Sequence, residues 1–424
     1  MDKLNILMVG SGGREHALIR KILESSRVNK LYCAPGNGGI GKDSICIDIP
    51  VMDIKKMVDF AKENSIDLVF VAPDDPLAAG MVDTFTEAGI KAFGPTAAAA
   101  MIEASKVFSK DLMKKYDIPT AKYEVFDDPK EAVKYIQSLE SFPTVIKADG
   151  LALGKGVIIA ESLKDAEDAI SSIMEDMKFG ASGKRVVVEE FLTGPEVSVL
   201  AFTDGKTLFP MVSSKDHKRA LDNDQGLNTG GMGTISPNPF YTDEIAKICE
   251  ETIFMPTIEA MNKEGRPFKG CLYFGLMITQ NGPKVIEYNA RFGDPEAQVV
   301  LPRLKTDIVE IALAVIEERL NEVEIEWSSD PTACVIMASG GYPNEYKKGI
   351  EIFGLDENGQ VNGATVYHSG TVFKDGKFYT NGGRVLGITA TGKTLDEALE
   401  KAYCAVDKIT FDGAHYRKDI GKIR

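Results

Sequence analysis

The chain has 424 residues, 44% of them hydrophobic and 26% charged, which is the composition of an ordinary globular protein with length for roughly three domains at about 150 residues each. A formal net charge of −14 and a pI near 5.0 argue against a broad nucleic-acid surface, so any phosphate site must be built locally. No apolar run reaches the roughly 18 residues of a membrane span, and the six scattered cysteines and four scattered histidines suggest reduced thiols in the cytoplasm rather than a disulfide framework or a zinc site.

In chain order, residues 4–9 read as a buried strand, "GSGGREHALIRKILESS" as a glycine turn and helix, and "KLYCAPGN" as a second strand ending in a turn. "IDLVFVAPDDPLAAGMVDTFTEAGI" is strand, loop and helix, and "KAFGPT" closes the series. Such alternation predicts a parallel α/β sheet with ligands at the C-terminal strand ends, where "GSGGRE", "APGN" and "APDDP" lie. The opening residues "MDKLNILMVGSGG" lack the basic segment and cleavage site of a signal peptide.

A boundary is expected near residue 100, followed by one helix over "TAAAAMIEASKVFSKDLMKKYDIPTA". "TVIKADGLALGKGVIIA" predicts a strand, a glycine loop and a strand; "SLKDAEDAISSIMEDM" is an amphipathic helix. "KRVVVEEFLTGPEVSVLAF" reads as a pair of strands across a turn, and residues 215–238 as a long irregular loop. A third unit begins near 330, with strands "TACVIMAS" and "VLGITATG" and a final helix "TLDEALEKAYCAVDKI".

Four stretches could carry chemistry. "GSGGRE" fails as a dinucleotide fingerprint, because Glu15 stands where G-x-G-x-x-G needs glycine. Backbone N–H groups at the helix start, with Arg14, can still bind phosphate. "KADGLALGKGV" fails as a Walker loop at Gly156, yet a glycine loop with Lys147 and Lys155 can close over a triphosphate. In "VVVEEFLTGPE", Glu189 to Leu192 could form a base slot and Glu196 a ribose acceptor, although an amphipathic strand end explains the same pattern. In "VIEYNARFGDPE", strand alternation points Glu287, Asn289 and Arg291 to one face. The bland alternative is a wet strand face. The functional one gives Glu287 and Asn289 to Mg²⁺ and turns Arg291 toward a substrate carboxylate or phosphate.

"GGREHA", "APGN", "FGPT", "KADGLALGKGV", "EEFL", "DHKR", "NTGGMG", "IEYNARFGDPE", "GGYP" and "NGGRVL", in this order, resemble the phosphoribosylamine–glycine ligase family of the ATP-grasp superfamily over essentially the whole chain. The resemblance implies an α/β protein with a preATP-grasp, Rossmann-like domain (1–100), an ATP-grasp core (101–326, with a mobile glycine-loop subdomain at about 120–192) and a small C-terminal α+β domain (327–424). It implies ATP-dependent ligation of glycine to 5-phosphoribosylamine through a glycyl phosphate, with Mg²⁺ or Mn²⁺, in purine biosynthesis. It also implies a cytoplasmic monomer with small-molecule substrates and neither nucleic-acid nor membrane partners.

By the same resemblance, Glu287 and Asn289 hold the metal, and Lys106, Lys147 and Lys155 face the nucleotide phosphates. Glu189, Leu192 and Glu196 form the adenosine site. Gly13, Arg14, Asn37 and Asp74 face the phosphoribosyl group, and Asp216, Arg291, Gly293 and Asp294 surround the glycine and the amine. Asp74, Leu153 and Leu227 depart from the family pattern; Asp74 replaces a glutamate. Another ATP-grasp carboxylate–amine ligase is the alternative activity.

Overall fold

The computed structural model describes residues 3–139, 142–151, 156–176 and 180–422. Strands β1 (Leu4–Gly10), β2 (Val28–Pro35), β3 (Ile45–Cys46), β4 (Leu68–Val71) and β5 (Lys91–Phe93) form one parallel sheet in the order β3-β2-β1-β4-β5. β1 is central and buried on both faces. Leu7 and Val9 enter one core while Ile6 and Met8 enter another, which is why its sequence reads as an unbroken apolar run. Gly36 N–H donates to Gly10 O at 3.1 Å, so the turns leaving β1 and β2 sit side by side.

The helix expected after residue 96 is two helices, Ala97–Ala104 and Lys106–Lys115, broken at Ser105 with φ −134° and ψ 114°. Ser105 Oγ accepts from Phe108 N–H at 3.1 Å and donates to Asp149 Oδ1 at 2.9 Å. A serine hydroxyl offers the backbone this cap in place of helical continuation. Lys106 therefore starts a helix instead of sitting inside one.

β6 (Tyr123–Phe126), β7 (Thr144–Ala148), β8 (Val157–Ala160) and β9 (Val186–Glu190) form an antiparallel sheet ordered β6-β9-β7-β8, with the glycine loop joining β7 to β8. β10 (Glu196–Thr203) does not pair with β9. It begins a different sheet with β11 (Leu208–Pro210). The turn between β9 and β10 thus bridges two sheets, and at Gly194 (φ +143°) a Cβ would lie 2.1 Å from Ile278 O.

Residues 215–238, expected as a long irregular loop, carry β12 (Lys215–Asp216), β13 (Arg219–Leu221), β14 (Gln225–Asn228) and β15 (Gly233–Ser236). β16 (Gly270–Thr279) and β17 (Gly282–Asn289) complete the order β11-β10-β16-β17.

The C-terminal strands are β18 (Thr332–Ala338), β19 (Glu351–Ile352), β20 (Thr365–His368), β21 (Thr371–Lys374), β22 (Lys377–Thr380) and β23 (Arg384–Thr391). The main sheet here runs β12-β15-β18-β23-β20, so two strands from within 101–326 complete a sheet otherwise built after 327. The helix Leu395–Val406 covers it with Ala398, Ala402 and Ala405. Among the described residues no helix is long and apolar enough to cross a membrane.

Three histidines are buried at the joints between these units. His16 Nδ1 accepts from His368 N–H at 2.8 Å, which leaves the proton on Nε2, 2.9 Å from Asp43 Oδ2. Burial lowers the pKa of His217 to about 4 and that of His368 to about 3. Between pH 6.5 and these values the unfolded chain protonates both imidazoles and the folded chain protonates neither. Stability must therefore fall as pH falls, by about 2 kcal/mol per imidazole at pH 5. Urea unfolding at pH 7 and pH 5 measures this; equal midpoints would show that the imidazoles are not held neutral.

Candidate active site

The glycine-loop sheet meets the sheet that holds β10, β16 and β17. Lys147, near the end of β7, donates to Ile286 O of β17 at 3.1 Å and pairs with Glu189 Oε1 at 2.9 Å. Ile286 is the extra residue of a β-bulge: Gly275 opposes Glu287 while Leu276 opposes Val285. The bulge resets the alternation. Val285 and Tyr288, three residues apart, both enter one core, and Glu287 and Asn289 are left half-buried on the other side.

Glu287 and Asn289 do share a face with Arg291, whose Nη2 donates to Asn289 Oδ1 at 3.1 Å. Burial alone would raise the Glu287 carboxyl; Lys218, Lys147, Lys106 and Arg291 outweigh it and hold the group below its ordinary range. Among the described residues no hydrogen-bond donor is paired with this carboxylate. An ionised carboxylate with free lone pairs beside an amide oxygen fits a hard divalent cation that takes its remaining ligands from phosphates. The described residues offer no cluster of three or more His, Cys, Asp or Glu as a closed metal cage.

Lys106 starts its helix and donates to Gly150 O at 3.0 Å, at the stem of the glycine loop. Burial lowers its pKa, with Glu287 opposing the shift. Lys155 lies outside the described residues. The Glu189 carboxylate lies between two buried lysines: its Oε2 pairs with Lys110 at 2.8 Å, and its Oε1 lies 2.9 Å from Lys147 Nζ. Of that stretch, Leu192 is half-buried, and Glu196 is exposed at the start of β10, pairing with Lys218 Nζ at 3.0 Å.

Around the N-terminal turns, Gly13 is packed so tightly that a Cβ would lie 2.6 Å from both Gln298 Nε2 and Ser369 Oγ. Arg14 donates from Nε to Glu15 Oε1 at 2.7 Å and from Nη1 to Phe292 O at 3.2 Å. The Asn37 amide is spent internally. Its Nδ2 donates to Ser11 O and His368 O, both at 2.8 Å, and its Oδ1 accepts from Gly39 and Ile40 N–H. Its backbone carbonyl accepts from Gly41 N–H at 3.0 Å, which leaves its backbone N–H for a ligand. Asp74 is half-buried at the start of the helix Asp74–Ala78, and its Oδ1 accepts from Asp75 N–H at 3.1 Å.

Asp294 receives Gln298 Nε2 at 2.8 Å and Arg384 Nη2 at 3.3 Å; against burial, Arg384 and Arg14 keep its carboxyl low. Asp216 behaves oppositely: burial, reinforced by Glu296, pushes it well up. Gly293 lies against Glu296, where a Cβ would meet Oε2 at 2.4 Å.

Sequence reasoning assigned no role to Glu103, Lys110, Lys218, Glu296 or Arg384. Lys218, Glu296 and Arg384 stand inside the quoted motifs "DHKR", "IEYNARFGDPE" and "NGGRVL". Glu103 and Lys110 sit on helices, where a charged residue ordinarily faces water. The lysine bridge has a direct consequence. Glu189→Gln would leave two buried ammonium groups without their carboxylate and should cost about 3–5 kcal/mol, with weaker ATP binding. Thermal melting and calorimetric titration with ATP check this; an unchanged melting temperature would refute the bridge.

Two sheets thus meet at buried lysines, with a carboxylate–amide pair along the facing strand. The models of the phosphoribosylglycinamide synthetase N domain, ATP-grasp (A) domain and C domain match residues 4–103, 104–297 and 332–423. The chain is 50% identical over 417 residues to a phosphoribosylamine–glycine ligase of Caldanaerobacter subterraneus subsp. tengcongensis, covering 98% of this chain and 99% of that protein. It superimposes on the crystal structure of phosphoribosylamine–glycine ligase from Thermotoga maritima with a TM-score of 0.86 at 33% identity, covering 98% of this chain and 100% of the other. At 15% identity it shares only the fold, with a TM-score of 0.76, with a biotin carboxylase domain of Hydrogenobacter thermophilus determined with MgADP, covering 98% and 92% of the two chains. The chain belongs to the phosphoribosylglycinamide synthetase family, and it is an enzyme of the ligase class.

Proposed function

We propose that this chain joins glycine to 5-phosphoribosylamine, with ATP as the third substrate, to give glycinamide ribonucleotide, ADP and phosphate in purine biosynthesis. The observation that carries the reading is the shared face of Glu287, Asn289 and Arg291, set opposite Lys106 and Lys147 at the stem of the glycine loop. A carboxylate is a poor electrophile. Phosphorylation of the glycine carboxylate makes an acyl phosphate, and the amine of phosphoribosylamine then displaces phosphate and loses a proton. No side-chain nucleophile is required, so the work of the protein is positioning and charge neutralisation.

In this reading Lys106, Lys147 and Lys155 oppose the nucleotide phosphates, and Leu192, Glu196 and the backbone near Glu189 receive adenosine. Glu287 and Asn289 would hold Mg²⁺ or Mn²⁺, which when bound neutralises developing charge on the transferred phosphoryl group. Arg291 pairs with the glycine carboxylate. Asp216, Gly293 and Asp294 enclose glycine and the amine, and Gly13, Arg14, Asn37 and Asp74 line the phosphoribosyl side. Residues 1–100, 101–326 and 327–424 act as the three functional units, and the enzyme works as a cytoplasmic monomer on small molecules.

Steady release of phosphate from ATP is expected only with glycine and phosphoribosylamine together, and added NAD should change nothing. Arg291→Lys keeps the charge but loses the planar fork, so KM for glycine should rise at least tenfold while KM for ATP stays within about twofold. Equal losses for both substrates would remove Arg291 from the glycine site.

A further inference from the structure

Arg291 is held from three sides by its own chain. Nη1 donates to Phe292 O at 3.2 Å, and Nη2 donates to Asn289 Oδ1 at 3.1 Å and lies 3.0 Å from Glu103 Oε1. Nε is shut off from solvent and has no hydrogen-bond partner among the described residues. Glu103 is itself buried, and its second oxygen, Oε2, accepts from Ala290 N–H at 2.7 Å. One carboxylate thus grips both the guanidinium and the backbone immediately before it.

The same turn of chain faces the glycine loop. Two residues past Glu103, Ser105 Oγ donates to Asp149 Oδ1 at 2.9 Å, and Val107 N–H reaches the same oxygen at 3.2 Å. Lys106 Nζ holds Gly150 O between them. Residues 103–107 therefore touch the arginine of the substrate side at one end and the stem of the nucleotide loop at the other.

We propose that Glu103 is the positioning residue for Arg291: by pairing with Nη2 and fixing Ala290, it sets the partly exposed guanidinium toward the glycine carboxylate and links it to the stem of the glycine loop. The inference rests on the ligase reading above. It accounts for a buried carboxylate that meets no reacting atom yet holds both Arg291 Nη2 and Ala290 N–H.

The test is Glu103→Gln, which keeps an acceptor for Ala290 N–H and removes the charge that fixes Nη2. Expected is a rise of at least tenfold in KM for glycine, with KM for ATP within twofold and the melting transition retained. In the double variant with Arg291→Lys, the Glu103→Gln change should add less than twofold, because its effect passes through Arg291. Both KM values rising together, or effects that multiply in the double variant, would overturn the proposal. Should Glu103→Gln fail to fold, Glu103→Asp keeps a buried carboxylate but leaves it one methylene short of Nη2. The same glycine-selective loss is expected of it, and wild-type KM for glycine would overturn the proposal. A wild-type enzyme that hydrolyses ATP without needing glycine defeats the ligase reading itself; a glycine-dependent wild type with no selective loss in the variants defeats only this one.

Discussion

Lys147 is the tie between the two sheets of the site. Its ammonium pairs with Glu189 in its own sheet and donates to Ile286 O in the facing one, so a buried cation joins the two sheets. The tie exists because β17 bulges at Ile286, which lies outside the paired register while its carbonyl accepts from Lys147. Glu189 also satisfies Lys110, which burial brings down to about 8. A buried charge must be paired or lose its proton, and here one carboxylate serves two ammonium groups.

The same rule sorts the other carboxylates of the site by their neighbours. Glu287 among three lysines and an arginine, and Asp294 beside Arg384 and Arg14, stay ionised in spite of burial. Asp216, facing Glu296, is pushed toward its protonated form. Asp216 shares Lys218 with Glu287 and Arg384 with Asp294, yet it alone of the three has its proton affinity raised, because burial and Glu296 outweigh those cations. Arg384 ties the C-terminal sheet to this centre: it donates to Gly230 O at 2.6 Å and to Asp294 O at 2.7 Å.

Much of this was legible in the chain itself. The parallel N-terminal sheet follows from unbroken apolar strands alternating with amphipathic helices, and the glycine loop between β7 and β8 from its flanking apolar runs. The common face of Glu287, Asn289 and Arg291 followed from period-two alternation, and it survives because the bulge lies before Glu287 rather than within the set. The break at Ser105 was obscured by the high helix propensity of the alanines on its N-terminal side. The separation of β9 from β10 was obscured because a short turn reads the same whether it folds a hairpin or crosses between sheets. The short strands of residues 215–236 carry polar and glycine-rich sequence; β15 and β12 become strands by extending the sheet from β18, and β13 and β14 by pairing with each other.

The sequence by itself determined the fold class, the glycine-loop lysines and the run of ligand-type residues at the end of β17, because each depends on local periodicity and residue chemistry. Tertiary structure alone decided which charges meet: Glu189 with Lys110 and Lys147, Glu103 with Arg291, and Asn37 with the backbone of His368. Those pairings join residues 42 to 331 positions apart. What selects them is the cost of burying a charge or an amide without a partner, a term that has no value until the chain has folded.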